Sequence, residues 1–239
     1  MLDFLWKLSP SMVCLFFLVL NLAILAGGLV AGQFLHRFGA PVMSMRSISP
    51  VEWILSFSTV AINAAISVAG WALWKSGWLT LNTTGGMFAI LRDTLILVLV
   101  MDFALYILHR IAHLPVFYGL AHFKHHEYRG VRVITLFVMH PLEALGFGSL
   151  WVFTLTLFPF TVESVLLFLN LNLYFGVTAH CGLRLYPRWL SQALGFFSVT
   201  DPAFHEQHHL REQKNFGFYT ALWDHLFGTL EKATPTNDK

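Results

Sequence analysis

Eight of the 12 histidines in this 239-residue chain fall in three short motifs. They are HRIAH, with His109 and His113; HFKHH, with His122, His125 and His126; and HEQHH, with His205, His208 and His209. Imidazole is the commonest metal ligand among side chains. Residues three or four apart on a helix share one side, with Cβ atoms about 5–6 Å apart. His109 and His113 are an i, i+4 pair. In the other two motifs the outer pair is i, i+4 and the middle histidine follows the first by three. The spacing therefore predicts helices that present ligands on one face. Imidazole-only clusters suit zinc, copper, iron or nickel and not magnesium or calcium. A zinc ion takes about three or four protein ligands, so eight or nine imidazoles suit two ions with four or five each.

The remaining histidines sort by context. His180 closes an apolar stretch on the same side as the three motifs and is taken as a ninth ligand. His36 reads as a loop residue beside Arg37, His140 before Pro141 as structural, and His225 as a non-ligand. Asp102, Tyr106, His109 and His113 follow one another at steps of 4, 3 and 4, which makes one helical stripe. A carboxylate inside a membrane helix needs a partner, and Asp102 is a candidate to orient a ligand imidazole from behind. The alternative for Asp102 is a structural polar contact within the bundle. His205-Glu206-Gln207-His208-His209 also satisfies H-E-x-x-H, the pattern of a zinc metalloprotease with Glu206 as general base. That reading leaves the other two motifs unexplained. A third reading is a non-enzymatic membrane metal or haem protein, although bis-histidine haem uses two single histidines and not three clusters.

The elements that must hold these residues are membrane helices. Hydrophobic residues make up 56% of the chain and charged residues 12%, and mean hydropathy is +0.63. Soluble domains run near 45–50% and about 25%. Five apolar stretches approach the roughly 20 residues a span requires: 12–35, 52–74, 88–108, one within 133–158, and 161–179. The first is too long for a signal-peptide core and is expected to be a retained helix. Phe158-Pro159-Phe160-Thr161 reads as a tight turn that makes the last two a hairpin, and Asp201-Pro202 as the start of the helix carrying HEQHH.

With five crossings and the N-terminus outside, one side holds Arg37, Arg46, Arg110, Lys124, Arg129, Arg132, Arg184, Arg188, Arg211, Lys214, Lys232 and Lys239. Lys7, Lys75 and Arg92 stay on the other. By the positive-inside rule the histidine motifs and the C-terminus are cytoplasmic. The net charge of +2 is too small for a nucleic-acid footprint. Cys14 and Cys181 fall at opposite ends of the bundle, beyond disulfide reach. The expected fold is an all-α, multi-pass membrane bundle. Residues 1–87 form N-terminal membrane helices, and residues 88–239 form a catalytic domain with two or three more.

From about Asp93 to Thr229 the sequence resembles the fatty acid hydroxylase / sterol desaturase superfamily of membrane di-iron enzymes. The resemblance rests on HRIAH, HFKHH, HPLE at His140–Glu143, TDPAFHEQHH and KNFGFYTALWDHLFGTL, in that order. One departure is His225, where the family's WDRLFGT ending carries Arg. The resemblance implies two iron ions held by His109, His113, His122, His125, His126, His180, His205, His208 and His209, with O2 as co-substrate. The implied reaction is hydroxylation or desaturation of an aliphatic C–H bond in a membrane lipid, with Glu206 at most a supporting residue. It further implies a separate electron donor such as cytochrome b5 or a ferredoxin. Arg129, Arg132, Arg184 and Arg188 are the basic surface such a donor would meet.

Overall fold

A polar residue followed by proline opens most of the long helices. Both choices suit a helix start, because the side chain accepts a free N–H and proline has none to leave unpaired. The computed structural model describes residues 2–41, 47–128 and 131–231. Arg46, Arg129, Lys232 and Lys239 of the charge pattern lie outside them.

A short helix α1 (Leu2–Lys7) leads into α2 (Pro10–Leu35), capped by Ser9. After β1 (Ala40–Pro41), α3 (Pro50–Lys75) begins with a reciprocal capping box. Glu52 N–H donates to Ser49 Oγ at 3.3 Å, and Ser49 N–H donates to Glu52 Oε2 at 2.8 Å. Next comes α4 (Met87–Ala112), then α5 (Pro115–Phe117), a π-helical turn at Tyr118–His122 and α6 (Phe123–His126). A 3-10 turn at Val133–Leu136 precedes α7 (Pro141–Leu157) and α8 (Val162–Ala179). The chain closes with β2 (Leu183–Arg184), α9 (Arg188–Phe196), α10 (Pro202–Leu210) and α11 (Leu222–Leu226). Asp201 caps α10 by accepting Phe204 N–H at 3.1 Å, as its sequence predicts.

Among the described residues, four helices, α2, α3, α4 and α8, are long and apolar enough to cross a membrane. The fourth expected span is shorter than its apolar stretch. Residues 133–136 form the 3-10 turn, and α7 starts only at Pro141 and runs 17 residues. The cause is local, since proline disfavours helix at the residue before it and His140 is extended, with its Nδ1 capping Leu142 N–H at 3.3 Å. His140 is thus structural, as expected.

α2 packs on α3, α3 on α7, and α4 on both α7 and α8. Leu97, Met101 and Leu105 of α4 meet Leu155, Phe160 and Phe168 in the main core. α2 also packs on the 3-10 turn, a contact that depends on Gly32, where a Cβ would lie 2.4 Å from Val133 Cγ2. Outward-facing Leu15, Val19, Ile54, Phe57, Leu95 and Phe153 are exposed, as lipid-facing residues are. At the end away from the histidines, Asp93 accepts Thr161 N–H at 2.9 Å and pairs with Arg92 at 2.7 Å. This pins the Phe158–Thr161 turn that joins α7 to α8. At the histidine end, the buried Glu52 carboxylate pairs with Arg132, and β1 pairs antiparallel with β2. Cys14 is exposed, Cys181 is buried, and both are free thiols.

Candidate metal centre

All nine nominated histidines are buried at one end of the bundle, in two groups. His109, His113, His122, His126 and His208 form the first. His125, His180, His205 and His209 form the second, and within each group the facing ring nitrogens lie within 4.8 Å of one another. Each motif with three histidines is therefore divided. His122 and His126 stay together while His125 joins the other group; His205 and His209 stay together while His208 crosses over. Positions i+3 and i+4 are separated by about 100° around a helix, so a triplet with this spacing faces two sites. The single shared face expected from the spacing is corrected in this respect.

The ring nitrogens are oriented from behind. His109 Nδ1 lies 2.9 Å from Phe216 O, His180 Nδ1 3.0 Å from Gly176 O, and His208 Nδ1 2.6 Å from Lys214 O. His125 Nδ1 is 3.4 Å from Val138 O, and His122 Nδ1 is 2.6 Å from the buried Glu143 carboxylate. Holding Nδ1 leaves Nε2 to face inward, the arrangement metal-binding histidines use. In the second group His209 Nε2 is 3.1 Å from both His125 Nε2 and His205 Nε2, and His205 Nε2 is 3.2 Å from His180 Nε2. In the first group His126 Nε2 and His122 Nε2 are 3.0 Å apart. Two nitrogens each about 2.0–2.1 Å from one ion sit about 3.0–3.4 Å apart.

Burial pushes the imidazoles toward their neutral, metal-binding form. It lowers His122 to about 4, and His180 and His208 to about 3. His113, His126, His205 and His209 are lowered by burial and by repulsion among the histidines. Several nitrogens have no hydrogen-bond partner among the described residues: both of His113, His126 Nδ1, His208 Nε2 and His209 Nδ1. Unsatisfied buried polar atoms at this density are costly, and the donor set fits transition-metal ions.

Three acids that the sequence did not assign support this end. Glu143 backs His122. Asp224 accepts Phe216 N–H at 2.9 Å, Gly217 N–H at 2.7 Å and Thr229 Oγ1–H at 2.6 Å, which sets the loop whose Phe216 carbonyl holds His109. Glu212 accepts Tyr118 O–H at 2.5 Å and lies 4.0 Å from His126 Nδ1. The available signal was an acid in the first turn of apolar α7 for Glu143, and the aspartate of WDHLFGT for Asp224. Phe216 packs on His109, His113 and His208, and Phe218 touches one histidine of each group, His109 at 5.2 Å and His205 at 6.4 Å between ring centres.

Of the two readings of Asp102, the structure shows the polar contact within the bundle. Asp102 is buried on the same stripe as His109, but its carboxylate holds no imidazole. It accepts Tyr219 N–H at 2.9 Å, Thr220 N–H at 3.2 Å, Thr220 Oγ1–H at 2.5 Å and Trp223 Nε1–H at 3.0 Å. Four donors, three from the loop residues Tyr219 and Thr220 and one from Trp223 on α11, leave nothing for a ligand. Glu206 is half-buried on α10 with Arg184 as its cationic neighbour, and burial raises its carboxyl. Arg132 is not part of an open basic surface, because it is paired with buried Glu52. Arg184 and Arg188 are exposed. His36 caps α2 and His225 is exposed on α11; neither belongs to a histidine group.

A profile of the fatty acid hydroxylase family matches residues 94–229. The chain belongs to this family. The matched range contains all nine histidines, Glu143 and Asp224, whereas α2 and α3 precede it. Family membership, the four apolar helices and the histidine-rich site together describe a membrane protein of a lipid-oxidising class. Among curated proteins, the cholesterol 25-hydroxylase-like protein of Danio rerio is 26% identical over 190 residues, 75% of this chain and 74% of that protein. Fatty acid hydroxylase domain-containing protein 2 of Homo sapiens is 27% identical over 227 residues, 90% of this chain and 64% of that protein. The Delta(7)-sterol 5(6)-desaturase of Eremothecium gossypii is 31% identical over 149 residues, 60% of this chain and 39% of that protein. The chain thus spans less than two thirds of the length of the last two. No solved structure matches it.

Proposed function

We propose that the two histidine groups each hold one iron ion and that the protein uses O2 to hydroxylate or desaturate an aliphatic C–H bond of a membrane lipid. The observation that carries this reading is a pair of all-imidazole groups, five and four strong, buried side by side at one end of an apolar bundle. His109, His113, His122, His126 and His208 would hold one ion, and His125, His180, His205 and His209 the other. Bound there, the metal pair supplies O2 activation and hydrogen removal from an unactivated carbon. The chain's own part is positioning. Backbone carbonyls and Glu143 aim the imidazoles, and Phe216 and Phe218 cover both groups with apolar rings that exclude water. A lipid chain reaching the site along Phe218 stays in apolar surroundings.

Two electrons come from a separate donor protein. The histidine end and the C-terminus face the cytoplasm, with the N-terminus outside, which the basic residues favour. The names of the relatives point to sterols and fatty acyl chains as the first substrates to try. The hydrolytic reading through Glu206 is not favoured, since it leaves unexplained the imidazoles of the other two motifs that share the site.

The test is metal analysis of purified protein together with lipid analysis of cells grown under 18O2, with and without the gene. Two iron ions per chain and a new 18O-labelled hydroxyl, or an O2-dependent double bond, are expected. One metal per chain, unchanged when His122, His125 and His126 are replaced by Ala, overturns the dinuclear reading. A lipid product formed without O2 overturns the oxidative one.

A further inference from the structure

Helix α9 (Arg188–Phe196) contributes no residue to either histidine group, yet it and its C-cap Phe197 carry three strongly exposed aromatic residues. Trp189 is 68% exposed, Phe196 84% and Phe197 73%. At about 100° per residue, Phe196, Trp189, Ala193 and Phe197 share one arc of about 100°. Leu190, Ser191 and Leu194, on the next side, are half-buried against the protein. Arg188, Gln192 and Gly195 form a third, polar and exposed side. The helix thus has three faces: one for the protein, one for water, and one apolar face that no other described element covers.

The position of α9 says what covers that face. Tyr186, two residues before the helix, is hydrogen-bonded through its hydroxyl to the hydroxyl of Tyr174. Tyr174 is exposed on α8, five residues before that span ends at Ala179, or about 7.5 Å along the axis. Immediately upstream, β2 is paired with β1, which follows the end of α2. The start of α9 is therefore tied to the ends of two spans, at the level where tyrosine and tryptophan collect in membrane proteins. Arg184 and Arg188 are exposed on the same segment.

We infer that α9 lies in the plane of the membrane surface, with Trp189, Ala193, Phe196 and Phe197 seated among phospholipid acyl chains and Arg188 at the headgroups. An in-plane amphipathic helix sits about 5–10 Å into the headgroup–acyl boundary. The next helix in the chain, α10, carries His205, His208 and His209, so this seat holds the chain leading into three of the imidazoles at the membrane surface.

Nitroxide labels at Gln192→Cys, Ala193→Cys, Gly195→Cys and Phe196→Cys, in a Cys14→Ser, Cys181→Ser background, test this in phosphatidylcholine–phosphatidylglycerol vesicles. Collisions with O2 report acyl surroundings, and collisions with chromium oxalate report water. The O2-to-oxalate ratio is expected to be several-fold higher at 193 and 196 than at 192 and 195. Equal ratios at all four positions show that no single face is seated in lipid and overturn the inference. Labels at 193 and 196 shielded from both reagents show a protein cover, a second copy or a redox partner, and overturn it too. The unmodified chain provides a check free of substitutions. A phospholipid with a photoactivatable diazirine near its glycerol should crosslink to the peptide 188–197, and failure to do so while the α8 peptide is labelled contradicts the seat.

Discussion

The two histidine groups differ in how they are supported. The first has five imidazoles gathered from α4, the π-helical turn, α6 and α10, and one of them, His122, is backed by the Glu143 carboxylate. The second has four, from α6, the C-terminal end of α8 and α10; among the described residues two of them are backed by carbonyls, His180 at 3.0 Å and His125 at 3.4 Å. A carboxylate partner makes an imidazole more basic and a stronger ligand than a carbonyl does. The lesson is that two sites built from the same motifs need not bind metal equally, and the imbalance is set by residues outside those motifs.

The largest effect should come from removing one ligand on each side. His122→Ala and His205→Ala are each expected to abolish lipid oxidation, and each to lower metal content from two ions per chain to one. If either variant loses both ions, the groups are not separable and the comparison fails. Acidification is expected to come next. Burial holds the folded histidines below the ordinary value of about 6.5, so the unfolded chain binds more protons between that value and the folded ones. Stability of the metal-free protein should be complete above about pH 6.5. It should fall as pH drops through about 4 for His122 and about 3 for His180 and His208. Thermal unfolding in detergent across this range checks the sign, and a midpoint that rises in acid contradicts it.

Glu143→Gln sharpens the difference between the groups. Loss of such a supporting carboxylate typically weakens metal binding about 10–100-fold. Chelator titration should show one ion released early and the other unchanged, whereas equal weakening of both would erase the distinction. Asp102→Asn acts on neither group directly. It weakens a buried acceptor of four hydrogen bonds and should cost about 1–3 kcal/mol of stability, with two metals still bound. Glu206→Gln should change stability by less than about 0.5 kcal/mol and leave O2-dependent turnover measurable. A variant that keeps both metals and is dead would restore Glu206 as a general base.

Much of the site was legible because its signal is local. Spacing of three and four between histidines is a property of one helix turn, so the nine residues could be named from the motifs and the end of the 161–179 stretch. The spans were legible for the same reason, since an apolar run of about 20 residues needs no partner to be recognised. Where the reading departed from the structure, the deciding contact was long-range or the break was a single residue. Pro141 cut the fourth stretch short. The Asp102 partners lie 117 to 121 residues away, and the Phe216 carbonyl lies 107 residues from His109.

By itself, then, the sequence determined that nine imidazoles gather at one end of an apolar bundle, because helical period and hydropathy act within a few turns. Only the tertiary structure decided how those imidazoles divide. Each triplet splits because its i+3 and i+4 members point about 100° apart, and which group each joins depends on where α4, α8 and α10 meet. The same holds for Glu143, Asp102 and Asp224. A buried carboxylate must find donors, but the chain distance to them leaves no periodic trace, so folding alone assigns Glu143 to a histidine and the two aspartates to one loop.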